Sequence, residues 1–150
     1  MIALYLEDFA PGQLFRSGEH RLDGEQIKAF ARQFDPQPFH LDEDAARDTF
    51  FHGLVASGWH TAAITMSLLV ESARVAGGLI GAGAEIAWPR PARSGDILHL
   101  EGEVLAVKPS RSKPDRGMVT IRCETRNQHG EVVQTMTCPL LVWRKPVGDS

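Results

Sequence analysis

The spacing of apolar residues predicts a strand and then a helix in the first third of the chain. Residues 14–22 form a strand-like run, and Asp23 follows as the predicted N-cap of a helix. Apolar side chains then recur at helical spacing up to Phe34, where Asp35 and Pro36 end the pattern. The Asp35 segment therefore follows the C-terminus of this helix.

The longest helical pattern lies in the middle of the chain. Asp42 is predicted to cap a short alanine-containing helix, and residues 50–53 form a turn after it. Residues 57–75 then place apolar side chains at intervals of three and four, and Gly77 and Gly78 end the helix. We expect this helix to be central, because small residues near its start allow a neighbouring backbone to approach closely.

The rest of the chain changes to a strand-like pattern. The predicted strands cover residues 79–89, 97–107, 117–128 and 132–145, with turn signals between them. A strand, one long helix and consecutive antiparallel strands form an α+β order in which a sheet wraps a helix. The 150 residues fit one domain, residues 1–150, with a real core.

The segment after the first helix carries the candidate chemistry. Asp35 and His40 lie five positions apart, and Pro36 and Pro38 stand between them. Because proline disfavours helical backbone at the residue before it, we expect an extended, stiff loop here. A stiff loop can hold an acid and a base at a fixed separation, as proton transfer from a positioned water requires. From the spacing alone, a capping Asp35 and a satisfied, half-buried His40 remain an equal alternative.

The same segment resembles the hydratase motif of the MaoC-like dehydratases, the family of R-specific enoyl-CoA hydratases. That motif reads Gly-Asp-x-Asn-Pro-(aliphatic)-His-x-Asp, and Asp35 and His40 fall on its catalytic pair. Phe34 stands where the family usually has Gly, and Gln37 where it usually has Asn. Residues 91–96, Pro-Ala-Arg-Ser-Gly-Asp, are similar to the family's Pro-x-Arg-x-Gly-Asp turn.

This resemblance implies a fold and an activity. The fold is the hotdog fold, an antiparallel sheet wrapped around one long central helix, paired into a homodimer or a higher homo-oligomer. The activity is reversible addition of water to an α,β-unsaturated acyl-CoA thioester, giving an R-hydroxyacyl product. Asp35 and His40 would hold the attacking water, and coenzyme A would enter only as part of the substrate, without another cofactor.

The resemblance also implies roles for residues around the dyad. His52 and Gly53 are similar to the family's His-Gly segment, whose glycine amide lies at the thioester oxygen, and we expect them to precede the central helix immediately. Counting from there places the family's substrate-facing hydroxyl at Thr61, whereas Ser57 is either a second such hydroxyl or the N-cap of the helix. Further substrate-binding candidates, inside the motif itself, are Gln37 and Phe39.

A basic segment follows the second long strand pattern. Lys108, Arg111, Lys113 and Arg116 surround two prolines in a predicted hairpin loop. Such a loop can bind the phosphates of coenzyme A through charge-assisted hydrogen bonds. An ordinary solvated loop is at least as good an interpretation, since exposed basic turns are common.

Composition excludes several classes of protein. The formal net charge of -3 and the pI near 6.0 give no global basic field for nucleic acid or an anionic membrane. The six histidines show no ligand spacing that would indicate a metal site. Residues 59–75 are too short and too polar to cross a bilayer, and the acidic N-terminus is unlike a secretory signal. With Cys123 and Cys138 predicted to be reduced packing residues, we expect a cytoplasmic protein.

Two other functions remain open from the sequence. A hotdog thioesterase would direct water at the thioester carbonyl, usually from a carboxylate on the central helix, where Glu71 is the available residue. A non-catalytic acyl-CoA-binding subunit would explain the departures at Phe34 and Gln37. Turnover of an enoyl-CoA and its loss on replacing Asp35 distinguish these functions from a hydratase.

Overall fold

The computed structural model describes residues 2–147. A short 3-10 helix at Leu6–Asp8 precedes the regular elements. The helices are α1 (Gly24–Phe34), α2 (Pro38–Leu41), α3 (Glu43–Arg47) and α4 (Gly58–Ser72). The strands are β1 (Leu14–Arg21), β2 (Ile80–Gly81), β3 (Glu85–Ala87), β4 (Ile97–Pro109), β5 (Arg116–Arg126) and β6 (Val132–Trp143).

All six strands belong to one antiparallel sheet. Its order is β1-β4-β5-β6-β2, and β3 also pairs with β6. Alternating residues of β4, β5 and β6 are buried, so one face of the sheet forms the core. Ile64, Leu68 and Leu69 of α4 lie in the same apolar cluster. Since burying such a side chain contributes about 1.5–3 kcal/mol, the sheet is held around α4, the arrangement expected of a hotdog fold.

The helix boundaries follow local capping chemistry. Asp23 caps α1 through a hydrogen bond from the Gln26 backbone, and Ser57 caps α4 through one from the Trp59 backbone, both as predicted. Asp42 caps α3, also as predicted. The predicted strands at the end of the chain match β4, β5 and β6 to within a few residues.

Two local predictions are wrong. Residues 79–89 do not form one strand but the short strands β2 and β3, because the small residues 81–84 between them offer little side chain to pack. The dyad segment is extended only as far as Gln37. Pro38 then starts α2, since proline is favoured in the first turn of a helix, and His40 lies on this helix.

The segment between α3 and α4 is tied to two other parts of the chain. The Val55 amide donates to the carbonyl of Phe39 in α2 at 3.0 Å, and the Ala56 amide donates to the carbonyl of Ala92 at 2.8 Å. Val55 also forms an isolated antiparallel bridge with Arg93. These contacts bring α2, the start of α4 and the segment before β4 to one place.

Candidate active site

Asp35 and His40 face each other across the end of α1 and the start of α2. Asp35 is the C-cap of α1, where its amide donates to the Ala31 carbonyl at 2.9 Å. His40 Nε2 lies 3.3 Å from Asp35 Oδ2. The structure therefore brings together the two residues that the sequence motif singles out.

The His40 ring has a defined orientation. Its Nδ1 lies 2.7 Å from the carbonyl oxygen of Val55, and the side chain is buried. Because a carbonyl oxygen only accepts hydrogen bonds, Nδ1 is the donor in this pair. In a neutral imidazole this leaves the Nε2 lone pair directed at Asp35, ready to accept a proton.

The Asp35 carboxylate accepts two side-chain hydrogen bonds. Ser57 Oγ donates to Oδ2 at 2.6 Å, and Gln37 Nε2 donates to Oδ1. Burial raises the pKa of Asp35, but the hydrogen bonds from Ser57 and Gln37 and the nearby His40 outweigh it, so the pKa lies below its ordinary value. Asp35 is therefore ionised at neutral pH.

The two departures from the family motif leave this arrangement intact. Gln37 supplies a hydrogen bond to Asp35, so an amide donor is present at that position. Phe34 is 65% exposed and packs against Phe30, with a centroid distance of 5.1 Å. The larger side chain lies on the surface of α1 and does not occupy the space between Asp35 and His40.

An apolar cavity of about 420 Å³ opens beside the dyad. Its lining is Phe39, His40, Phe50, Phe51, Ala56, Gly58, Thr61, Trp88, Pro89, Arg90, Pro91 and Ala92. The size and the apolar, aromatic lining are typical of a small-molecule site with a few polar groups. Two of the predicted substrate-binding residues, Phe39 and Thr61, line the cavity.

The prediction that Gly53 immediately precedes the central helix is wrong. Helix α4 begins five residues later, at Gly58, because Val55 and Ala56 form the extended ties described above. Gly53 instead follows His52, whose φ of 55° is left-handed, and a Cβ on Gly53 would lie 3.3 Å from Arg93 Nη1. Gly53 itself does not have a left-handed φ, and the arginine end could move aside for a side chain there.

Gly58 has the properties that the thioester role requires. It is the first residue of α4 and lines the cavity together with His40. Among residues 2–147, the Gly58 amide donates to no acceptor. A free N–H at the start of a helix, where the dipole adds positive charge, can stabilise a developing oxyanion. The signal for it in the sequence is Ser57 as N-cap, which places Gly58 at the first helical position.

The four basic residues of the predicted hairpin lie away from this cavity within the protomer. The hairpin joins β4 to β5 beyond Pro109, whereas the cavity residues precede the opposite end of β4 at Ile97. At strand spacing, β4 spans about 40 Å. Arg116 binds Asp115 at 2.9 Å and lies over the Trp143 ring at 4.7 Å. Lys108, Arg111 and Lys113 are exposed at the same end.

Other titratable side chains have separate surroundings. His60 stacks on Phe30 at 4.6 Å, and burial lowers its pKa, with smaller contributions from His20 and His40. Cys123 and Cys138 are buried thiols without a disulfide, and burial raises the pKa of Cys123 to about 12, with a smaller effect of Cys138.

Within residues 2–147, no cluster of three or more His, Cys, Asp or Glu side chains is arranged to hold a metal ion. The helices in the same range are too short or too polar to span a membrane.

Comparisons with known proteins agree with the fold and the motif. The crystal structure of the MaoC-like dehydratase from Rhodospirillum rubrum is 58% identical, with a TM-score of 0.94 over 97% of this chain and 100% of that one. The (R)-hydratase from A. caviae involved in PHA biosynthesis is 25% identical, with a TM-score of 0.73 over 93% of this chain and 99% of that one. The uncharacterized protein YdeM of Bacillus subtilis is 34% identical over 82% of this chain and 87% of its own length.

The match extends to a family model as well as to single proteins. The sequence model described as MaoC like domain matches residues 8–127, which include the dyad, the cavity and most of the sheet. The chain therefore belongs to the MaoC-like domain family.

Proposed function

We propose that this protein is a hydratase/dehydratase that adds water reversibly to an α,β-unsaturated acyl-CoA thioester, with R stereochemistry. The observation that carries the proposal is the Asp35–His40 pair, 3.3 Å apart, beside an apolar cavity. Membership of the MaoC-like family and the likeness to an (R)-hydratase from A. caviae support it.

The dyad is suited to hold a water molecule. Asp35 is ionised, and in a neutral His40 the Nε2 atom carries a lone pair, so the two facing groups are then both hydrogen-bond acceptors. A water that donates one hydrogen to each is held with its oxygen lone pairs directed away from the dyad, toward a bound enoyl group. As the C–O bond forms at Cβ, the dyad accepts a proton from the water and returns one to Cα, so no net proton is consumed.

The start of α4 supplies the electrophilic part of the site. When water attacks Cβ, negative charge develops on the thioester oxygen. The Gly58 N–H lines the same cavity as His40, and we assign it to that oxygen. Thr61 lies one turn further along α4 and also lines the cavity, so it would contact the acyl group.

The thioesterase alternative lacks a carboxylate of the central helix at the cavity. Glu71 lies in the last turn of α4, fourteen residues after Ser57, and is exposed. Its position is about 20 Å along the helix from Gly58 at 1.5 Å per residue. Water activation at the dyad therefore supports the hydratase over a thioesterase that uses Glu71.

The proposal includes an oligomer, at least a homodimer. Trp59, Met66 and Val70 are exposed apolar residues at helical spacing on α4, a surface that association with a second subunit would cover. The basic hairpin of the same protomer lies at the far end of β4, so any contact of its cations with coenzyme A phosphates would come from another subunit.

We propose a cytoplasmic enzyme, because Cys123 and Cys138 are thiols without a disulfide.

The test is the fate of crotonyl-CoA on addition of the purified protein. A hydratase removes the absorbance of the conjugated thioester without releasing free thiol, and chiral analysis gives the R-3-hydroxy product. Thiol release would instead indicate a thioesterase. Binding of short and long enoyl-CoAs without any change in the conjugated thioester would indicate the non-catalytic subunit.

A further inference from the structure

Trp88 forms a wall of the cavity at the start of α4. It directly follows β3 and lines the cavity together with Gly58 and Thr61. A Cβ placed on Gly58 would lie 2.7, 2.8 and 2.9 Å from three indole carbons, closer than real Cβ atoms approach their neighbours. The indole therefore rests directly on the backbone of the residue that we assign to the thioester oxygen.

A buried amide holds this indole. Trp88 Nε1 donates to Gln134 Oε1 at 2.9 Å, and Gln134, on β6, is fully buried. Gln134 Nε2 is itself buried and has no partner among residues 2–147. An amide in the core with an unpaired donor is unfavourable for stability, so packing alone gives no reason for a glutamine at this position. The hydrogen bond from Trp88 to Gln134 does give a reason for a glutamine here.

A third contact limits the remaining freedom of the ring. Trp59 packs edge-on against Trp88, with a centroid distance of 5.3 Å and an interplanar angle of 82°. The indole is thus held by the Gly58 backbone, by Gln134 and by Trp59. Phe50, another aromatic residue of the cavity, also packs edge-on against a neighbour, Phe51, at 5.3 Å, but it is 89% exposed and its ring has no polar atom that a buried side chain could hold. The Trp88 side is therefore the rigid side of the cavity.

We propose that Trp88, fixed by Gln134, is the specificity-determining residue that limits the length of the acyl chain. This inference rests on the proposed function, since it takes the cavity to be the acyl site. An acyl chain whose thioester oxygen lies at Gly58 meets the indole at once, because the ring is in contact with that residue. Although Trp88 is 41% exposed, its ring is restrained by these three contacts, so it would exclude long chains, and the cavity would admit short-chain acyl thioesters.

The experiment compares binding of two saturated thioesters, butanoyl-CoA and octanoyl-CoA, by isothermal titration calorimetry. Wild type should bind butanoyl-CoA more tightly. Trp88→Val should raise the affinity for octanoyl-CoA relative to butanoyl-CoA by about tenfold or more, the usual effect of opening a hydrophobic pocket. Trp143→Val is the matched control, because Trp143 packs on Arg116 at the hairpin end of the sheet and does not line the cavity. It should change the ratio much less.

Trp88→Phe is the second variant, in case the valine variant does not fold. It keeps an aromatic wall but loses the hydrogen bond to Gln134, so it should shift the ratio in the same direction by a smaller factor. An unchanged ratio in a folded Trp88 variant would overturn the inference. Equal affinity of the wild-type protein for the two thioesters, or no binding of either thioester, would also overturn the inference.

This measurement separates the inference from the proposed function. Saturated thioesters cannot be hydrated, so binding is measured without turnover. A protein that shows the expected shift in binding but leaves crotonyl-CoA unchanged would retain the inference and lose the proposed function. A protein that hydrates crotonyl-CoA with no effect of Trp88 on chain length would retain the function and lose the inference.

Discussion

Ser57 connects the start of α4 to the dyad, and its replacement should alter stability and catalysis together. The side chain is fully buried. Its Oγ donates to Asp35 Oδ2 at 2.6 Å and accepts from the Trp59 amide at 3.2 Å. Ser57→Ala removes both interactions, whereas Ser57→Gly removes the hydroxyl but leaves a residue that is well tolerated at an N-cap.

The magnitude follows from the two hydrogen bonds. A bond to a charged group contributes about 1.5–3 kcal/mol, and loss of a serine cap to alanine costs about 1 kcal/mol. Ser57→Ala should therefore lower the free energy of unfolding by about 2.5–4 kcal/mol. Ser57→Gly should lower the free energy of unfolding by about 2–3 kcal/mol, because replacing the N-cap serine with glycine costs only a few tenths of a kcal/mol.

The same contact influences the pKa of Asp35 and the pH dependence of stability. The Ser57 hydrogen bond favours the ionised carboxylate, so its loss should raise the pKa of Asp35 toward its ordinary value. The pH at which the Asp35 carboxylate takes up a proton should then be higher in the variant. Because the folded pKa is depressed, the stabilisation from this bond is complete at neutral pH and is lost as the pH falls through the lowered pKa. The stability difference between wild type and Ser57→Ala should shrink accordingly in acid.

The assays are urea denaturation at several pH values, an NMR titration of the Asp35 carboxyl carbon, and the rate of enoyl-CoA hydration at neutral pH. With Asp35 less firmly oriented, kcat/KM at neutral pH should fall by about tenfold to a hundredfold. Titration of Asp35 at the same pH in wild type and both variants would refute the reasoning, because it would mean that the Ser57 hydroxyl does not act on the Asp35 carboxylate.

Three further predictions concern the surroundings of the cavity. Gly58→Ala should lower the melting temperature because the new Cβ would clash with Trp88, although alanine normally stabilises a helix by about 0.5–1 kcal/mol over glycine. Adding Trp88→Ala should relieve this loss, and additive effects of the two substitutions would contradict the clash. Arg93→Ala removes the 2.8 Å hydrogen bond to the Phe51 carbonyl and should lower the free energy of unfolding, measured by urea denaturation, by about 1 kcal/mol. Arg93→Lys is the control that retains the charge, and an unchanged unfolding midpoint in Arg93→Ala would contradict the prediction. Glu71→Gln should leave enoyl-CoA hydration unchanged, and a large loss of turnover would place the active carboxylate on α4.

The parts of the structure that the sequence predicts best are those with local causes. Asp23, Asp42 and Ser57 mark helix starts because a short polar side chain satisfies free amides in the first turn. The dyad is predictable from the resemblance of its segment to the family motif, whereas the spacing of Asp35 and His40 alone leaves a capping aspartate and a satisfied histidine equally open. Pro38 shortens the extended part by starting α2, which the pattern of residues alone did not indicate.

The parts that the sequence did not predict depend on contacts between distant residues. Gly53 and Gly58 are both glycines near the start of a helical pattern, and only the ties of Val55 and Ala56 to other segments determine which one begins α4. The Trp88–Gln134 hydrogen bond joins residues 46 positions apart in the chain. No periodicity within either segment could indicate it.

The remote position of the basic hairpin has the same origin. Its four cations were predicted from composition, and their chemistry suits phosphate binding. Their distance from the dyad depends on the length and direction of β4, which separates the hairpin from the segment that lines the cavity. Strand direction in the sheet is a tertiary property that local patterns do not encode.

The most direct test of the central claim is the hydration rate of crotonyl-CoA by wild type and by Asp35→Asn. The substitution keeps the shape of the side chain and removes its charge and its capacity to accept a proton. We expect a loss in rate of about 100-fold to 10,000-fold, the range for a positioned acid or base, with the variant still folded at the assay temperature and acyl-CoA binding retained. Equal rates of hydration in the two proteins would contradict the account, because the Asp35–His40 pair would then have no part in the reaction.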